Sequence, residues 1–365
     1  MVDPAIAYLL HVVPGLERIT AREIGLSVPK ASDVRGLSGF DERTSLLALS
    51  YRGDPGHLLA LRTVEDVFVL AVDQTEISGG YAGLRVAREA VEQCDALDAA
   101  IALGLQIHGR RARRPTFRVI ARAAGEHAFR RVDLRQAIER AIEKRVPALR
   151  LVADDAHLEF WVHLVRDHLV IGIRLSSADL RYRTYKQANV PASLKPTIAA
   201  AMVLVSQPRP DDVVLDPMCG AGTLLIERGE ASRYRRLLGG DGDPEAVTAT
   251  RANIGPRYQP IELRQWNAQS LPVADRSVDA ILCNLPFGRQ IGSEQGNRVL
   301  YPAVIAEWSR VLAPGGRLVL LTADSRLLTT VIAKHRGLRL QDRLPLRVRG
   351  LPAAIHLIRP TSSGT

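Results

Sequence analysis

Apolar and polar positions change their period near residue 190, and the change separates two architectures along the chain. Upstream, short apolar-rich runs at 7–12, 45–50, 66–72, 116–122, 157–164 and 168–175 read as strands, that at 116–122 with alternating apolar residues. Helical spacing opens at Pro14-Gly15-Leu16-Glu17, after Asp54, twice beyond Gly79 and again over 133–145. Val165-Arg166-Asp167 separates the last two strands as a hairpin turn. This predicts a small α+β unit over 1–75 and a second α+β domain over 76–176.

Residues 177–193 keep no period and read as a linker whose Arg181-Tyr182-Arg183-Thr184-Tyr185-Lys186 gives it a basic, aromatic surface. From 194 to 365 the spacing becomes a βα repeat. Strands fall at 212–215, into Asp241, into Asn267, at 278–283 and at 317–322; helices fall at 196–205, from Gly222, at 244–253, 302–312 and 325–334. Apolar runs at 338–348 and 353–358 close the chain as a hairpin. The expected class is α/β: a doubly wound C-terminal domain behind a two-part α+β half.

At 365 residues the chain exceeds what one core comfortably serves. With 46% apolar and 24% charged residues it has the balance of a soluble globular protein, and no apolar run approaches the ~20 residues of a membrane span. Asp3, Pro4, His11 and Pro14 interrupt any signal-peptide pattern, which leads to the expectation of a cytoplasmic protein. Cys94, Cys219 and Cys283 are too few and too scattered for a disulfide framework or a metal site. The net charge is +10, unevenly spread: residues 1–103 carry 9 Lys+Arg against 15 Asp+Glu, and residues 104–150 carry 13 against 4. A basic segment of this kind suits a nucleic acid, or is simply a solvated arginine-rich face.

The candidate chemistry begins at Val213-Val214-Leu215-Asp216-Pro217-Met218-Cys219-Gly220-Ala221-Gly222-Thr223, an apolar strand ending in an acid and turning through glycines into a helix. Such a turn lets backbone approach a ligand, and the helix start offers unpaired N–H groups. Leu225 stands where a dinucleotide fingerprint needs its third glycine, and no lysine follows Gly222 as a phosphate loop requires. The next strand ends in Gly240-Asp241-Gly242-Asp243-Pro244. Asp243 before Pro244 is a helix cap, which leaves Asp241 for the two hydroxyls of a ribose. Asn267-Ala268, one strand on, is placed to meet an adenine edge. In this order the elements point to an adenosyl cofactor.

Asn284-Leu285-Pro286-Phe287-Gly288 follows the strand at 278–283, at the edge where ligands meet such a sheet. Asn284 Oδ1 and the Leu285 carbonyl can accept both N–H bonds of a planar exocyclic amine, Pro286 fixes the turn, and Phe287 can stack on a flipped base. Cys219 and Cys283 invite a nucleophile reading, but one lies in the cofactor turn and the other sits one residue before the acceptor motif.

The whole arrangement resembles the THUMP-domain tRNA guanine-N2 methyltransferases. Besides the Asp216 and Asn284 motifs, the resemblance rests on Val13-Pro14-Gly15-Leu16-Glu17, on Thr116-Phe117-Arg118-Val119 with Gly125-Glu126-His127-Ala128-Phe129-Arg130-Arg131, and on Leu180 through Lys186 with Pro191-Ala192-Ser193-Leu194-Lys195-Pro196. It implies a ferredoxin-like domain and a THUMP domain that grip tRNA, and a Rossmann-like domain that binds S-adenosylmethionine. Gly288-Arg289-Gln290-Ile291-Gly292-Ser293 is most similar to the members that modify guanine 6 of the acceptor stem. The implied RNA contacts are Arg118, Arg130, Arg131, Arg181, Arg183, Tyr185, Lys186 and Arg289, with no metal and no membrane. Nothing in the sequence assigns an activating partner subunit. Competing readings are guanine 10 of tRNA or a guanine of 23S rRNA, adenine N6 or a glutamine amide, a non-catalytic RNA-binding protein, and a nicotinamide-dependent oxidoreductase.

Overall fold

In the computed structural model, which describes residues 5–37, 44–109, 114–191, 193–288 and 293–361, contacts divide the chain into two units: Met1–Val12 with Ile24–Leu180, and Val13–Glu23 with Arg181–Thr365. The first part of the chain forms β1 (Ile6–Val12), α1 (Glu17–Ser27), β2 (Ser32–Leu37), β3 (Ser45–Tyr51), α2 (Gly56–Leu59), β4 (Val64–Gln74), α3 (Tyr81–Glu92), α4 (Leu97–Ile107), β5 (Thr116–Ala124), α5 (Arg131–Arg145), β6 (Arg150–Leu151), β7 (Leu158–Val165) and β8 (His168–Arg174).

The described strands make one eight-stranded sheet in the order β2-β3-β1-β4-β8-β7-β5-β6. The sheet continues through the position near 75 where the sequence suggests a boundary, because β4 pairs antiparallel with β8. Burial explains this: β4 is buried at its first seven positions, as a central strand must be, and Leu9, Leu46, Phe68, Leu70, Trp161 and Val170 form one cluster drawn from both stretches. The sequence pattern gives no strand at β2, a polar and mostly exposed edge strand.

The chain continues with α6 (Asp179–Tyr182), α7 (Pro196–Val205), β9 (Val213–Asp216), α8 (Thr223–Ala231), β10 (Arg236–Asp241), α9 (Pro244–Ile254), β11 (Ile261–Gln265), β12 (Val278–Asn284), α10 (Glu294–Val311), β13 (Leu312–Thr322), α11 (Ser325–Lys334), β14 (Leu338–Val348) and β15 (Leu351–Pro360). Its described strands form a seven-stranded sheet ordered β11-β10-β9-β12-β13-β15-β14. From β9 the chain winds outward through β10 and β11 on one side, then returns to lay β12 and β13 on the other, so the switch point of the parallel strands lies between β9 and β12. The last two strands are the expected hairpin, antiparallel to each other and, through β15, to β13.

Two local features hold this unit together. At the starts of the strands, buried Asp212 accepts hydrogen bonds from Arg317 at 3.0 Å and Arg228 at 3.4 Å. At the other, Gly15 has φ +96° and lies so close to β14 that a Cβ there would stand 2.3 Å from the Pro345 carbonyl oxygen. α10 begins earlier than its pattern suggests. Pro302 reads as a helix start, yet it lies inside the helix, whose cap is the Ser293 hydroxyl accepting the Gly296 N–H at 2.9 Å.

Candidate active site

Asp216 ends β9 and is 1% exposed, with the Met218 N–H 3.3 Å from its Oδ1. Burial pushes its carboxyl well above the ordinary range, and the nearby Asp241 charge adds to the rise, against the lowering by the Met218 N–H. Among the described residues it has no ion-pair partner. A cationic ligand placed beside it would favour the ionised form, and an adenosyl sulfonium has that charge.

The chain then turns sharply. Cys219 N–H donates to the Gly240 carbonyl at 2.9 Å and Gly222 N–H to the Cys219 carbonyl at 2.8 Å, tying the turn to the end of β10. Gly222 has φ +77°, and a Cβ there would stand 2.8 Å from Thr250 Cγ2, so the position accepts only glycine without strain. Thr223 is buried as the first residue of α8. Asp241 braces the turn from below: its Oδ2 accepts from Gly220 N–H at 3.0 Å and its Oδ1 from Asp243 N–H at 3.1 Å. Each oxygen keeps lone pairs for a further donor. Asp243 Oδ1 in turn accepts from Glu245 N–H at 2.9 Å, the cap that its place before Pro244 predicts. Gly242 lies in the same turn, where a Cβ would meet nothing nearer than the Trp266 carbonyl oxygen at 3.7 Å.

Asn267 is exposed just after β11, its Oδ1 accepting from Gln269 N–H at 3.0 Å, and Ala268 beside it is buried. Cys219 and Cys283 are both buried, and burial, with the Asp216 charge second, pushes both thiols up, away from a thiolate.

Asn284 ends β12 across the switch point from Asp216. Its Oδ1 is buried with no hydrogen-bond partner among the described residues, a costly arrangement for an amide oxygen unless a ligand donates to it. Leu285 is fully buried and its N–H donates to the Leu321 carbonyl at 3.0 Å, which fixes the first residue after the strand. The Pro286 carbonyl accepts from two side chains of α10: Asn297 Nδ2 at 2.9 Å and the Tyr301 hydroxyl at 2.9 Å. Tyr301 also lies 2.7 Å from the Thr322 hydroxyl, whose oxygen accepts from Asp324 N–H at 2.9 Å. Because Tyr301 gives its one proton to Pro286, Thr322 donates to Tyr301. Burial pushes the Tyr301 phenol up to about 12, so it remains a donor. Phe287 is half-buried, and Gly288 has φ +75° with no room for a Cβ, which would stand 2.9 Å from Glu294 N. Arg289 lies outside the described residues, as do 290–292.

Sequence reasoning missed Asn297, Tyr301 and Asn253. The last is 2% exposed on α9; its Nδ2 donates to the carbonyls of Ala188 and Ala221, and its Oδ1 accepts from Ala188 N–H at 2.8 Å. It thus pins the linker to the glycine turn. Asn at the end of a helical pattern is an ordinary helix-stop signal and carries no hint of this.

The remaining candidates are mostly engaged by the protein itself. Arg118 pairs with Asp154 and Glu159, and Arg130 with Asp133, which also accepts the Arg130 N–H to close the cap of α5. Arg131 is exposed at the start of α5, and Arg181 is half-buried. Arg183 lies 3.4 Å from the fully buried Glu227 carboxylate, which also accepts the hydroxyl proton of buried Tyr185 at 2.7 Å. Lys186 donates to the Leu194 carbonyl at 2.7 Å, and burial, with the neighbouring Arg349 second, pushes its ammonium down to about 8. No helix among the described residues is long and apolar enough to cross a membrane.

Residues 183–343 match the RMKL-like, methyltransferase domain family. A mouse protein named tRNA (guanine(6)-N(2))-methyltransferase THUMP3 is 31% identical over 264 residues, covering 67% of this chain and 52% of its own length. The chain thus spans about half the length of that relative. A tRNA (guanine(6)-N2)-methyltransferase of Thermus thermophilus is 29% identical over 234 residues, 61% of this chain and 67% of that one. The crystal structure of TrmN from Thermus thermophilus shares the fold with a TM-score of 0.80 at 22% identity, covering 98% of this chain and 100% of that chain.

Proposed function

We propose that this chain, with its methyltransferase domain over 183–343, moves a methyl group from S-adenosylmethionine to the exocyclic N2 amine of a guanine in tRNA, guanine 6 of the acceptor stem. The observation that carries the reading is Asn284 Oδ1, a buried acceptor without a donor among the described residues, at the end of the strand that neighbours the one ending in Asp216. In this reading Asp241 accepts from the ribose hydroxyls, Asn267 and Ala268 meet the adenine edge, and Met218, Cys219, Gly220 and Gly222 with Thr223 line the turn around the amino-acid end.

When bound, S-adenosylmethionine supplies an electrophilic methyl group. Asn284 Oδ1 and the Leu285 carbonyl accept the two N–H bonds of the amine and draw its lone pair out of conjugation, while Phe287 stacks on the base. The Pro286 carbonyl takes no part, being filled by Asn297 and Tyr301. Transfer of that methyl from sulfur to nitrogen would put positive charge on the amine, which the Asn284 Oδ1 and Leu285 carbonyl acceptors would meet more strongly, and the extra proton would leave to water. No strong base is required. The N-terminal half is assigned to ferredoxin-like and THUMP RNA-binding domains, and the protein to the cytoplasm, where tRNA is modified.

The test is transfer of label from methyl-labelled S-adenosylmethionine to unfractionated tRNA and, in parallel, to 23S rRNA, with the product mapped by nuclease digestion and mass spectrometry. The reading expects N2-methylguanosine at position 6. The same nucleoside at position 10 or in 23S rRNA would correct the target, and methylated adenine or unlabelled RNA would overturn the assignment.

A further inference from the structure

The edge of the seven-stranded sheet where its parallel strands end is split by charge. On the cofactor side stand Asp216 at the end of β9, Asp241 at the end of β10 and Asp243 at the cap of α9. Across the switch point the strand ends lead instead to arginines: Arg298 in the second turn of α10, Arg326 in the first turn of α11, and Arg349 in the turn between β14 and β15.

The registers place these on one edge. Asn284 is level with Leu321 across β12 and β13, Thr322 with Ala354 across β13 and β15, and Ala354 with Pro345 across β15 and β14, so 346–350 reaches past the level of Asn284. Arg298 follows Asn297, whose side chain touches the reaction loop itself. All three arginines are exposed, and among the described residues none has an ion pair or a side-chain hydrogen bond. Two acids share this edge, Asp324, whose Oδ1 caps α11 by accepting from Leu327 N–H at 3.0 Å, and Glu294, exposed in the first turn of α10; among the described residues neither forms an ion pair with the three arginines. Next to Arg298, Val299 is 72% exposed. This contrasts with Arg118, Arg130 and Arg183, whose charges meet carboxylates of their own unit.

A single unpaired arginine on a surface is an ordinary solvated group. Three from separate elements, all at the strand ends on the Asn284 side of the switch point while Asp216, Asp241 and Asp243 lie on the other, make that side the one that favours an anion. We infer that Arg298, Arg326 and Arg349 bind the phosphates of the RNA strand on either side of the target nucleotide, so that the catalytic unit makes its own backbone grip. The inference rests on RNA being the substrate. Phosphate contacts fix register without reading bases, so this arginine rim would set which nucleotide is presented to Asn284.

The experiment compares the full chain with its R298Q/R326Q/R349Q variant, titrating unfractionated tRNA across a salt series. Each lost phosphate contact removes roughly 0.7 to 0.9 from the slope of log affinity against log salt, so the slope should fall by about two to three and the affinity at ~0.15 M salt by tenfold or more. S-adenosylmethionine affinity should not change. The R298K/R326K/R349K variant should keep most of the slope, since phosphates respond to charge, and its behaviour separates lost contacts from lost folding. Equal slope and affinity in the Gln variant overturn the rim, as does a Lys variant that behaves like the Gln variant. If the unaltered chain methylates tRNA while the Gln variant is indistinguishable from it, the rim alone fails. If the unaltered chain neither binds nor labels tRNA, the rim and the proposed substrate fail together.

Discussion

Tyr301 holds the Pro286 carbonyl by its hydroxyl proton at 2.9 Å, joining the middle of α10 to the loop that follows Asn284. Tyr301→Phe keeps the ring in the core and removes only that donor and the bond to Thr322. Small misplacement of aligned groups is costly in rate. The variant is expected to lose at least about tenfold in kcat while its affinities for S-adenosylmethionine and tRNA stay within about twofold. Steady-state kinetics with calorimetry measures both. A loss of thermal stability with unchanged kcat would reduce Tyr301 to a core residue.

Asn284→Ala removes the buried acceptor itself. Its contribution grows as charge develops on nitrogen, so turnover should fall by roughly a hundredfold or more while both binding equilibria persist. Single-turnover label transfer gives the rate directly. Wild-type speed would place the reaction elsewhere.

Asp241→Ala is expected to weaken S-adenosylmethionine binding by more than tenfold. Hydrogen bonds to a charged group are worth about 1.5 to 3 kcal/mol each, and the change also frees the Gly220 N–H that the carboxylate now holds. Calorimetry should show the loss, with tRNA affinity unaltered. Unchanged cofactor affinity would remove the ribose assignment.

Lys186 gives a dependence on pH whose sign follows from its lowered value. The unfolded chain binds the proton up to about 10.5 and the folded chain only up to about 8. Between these values the unfolded state carries more protons, so the Lys186 contribution to stability rises with pH and is least favourable below 8. The melting temperature of the wild type minus that of Lys186→Met should therefore increase from pH 8 to pH 10. A difference that is flat across this window would show that the ammonium is not desolvated.

The residues that were legible in the sequence carry local signals. A carboxylate at a strand end, a glycine turn and an Asn-Leu-Pro-Phe run are each written within a few consecutive positions, so Asp216, Asp241 and Asn284 could be singled out with their strands. Asn297 and Tyr301 act on a carbonyl 11 and 15 positions upstream, and Pro302 obscures the start of the helix that bears them. Period alone cannot supply such a contact. Composition made the linker a surface, but Tyr185 and Arg183 turn toward Glu227, 42 positions downstream of Tyr185, and are mostly buried there. The position near 75 misled for a related reason: β4 ends near it, yet its partner β8 begins at His168, and pairing across that span leaves no trace in local periodicity.

The pin formed by Asn253 bears on where this chain can be cut. A fragment excised at residue 194, where the repeat begins, would discard Ala188 and with it two of the three hydrogen bonds of a side chain that is 2% exposed. The stranded amide would be left to find water inside the helix packing, at a cost of about 1 to 3 kcal/mol, and the glycine turn would lose its outer tether. A fragment that starts at Arg181 and retains Val13–Glu23 as a separate peptide keeps these contacts. A fragment cut at 194 should therefore bind S-adenosylmethionine less well than one cut at 181, which keeps Ala188 beside Asn253, however well either folds.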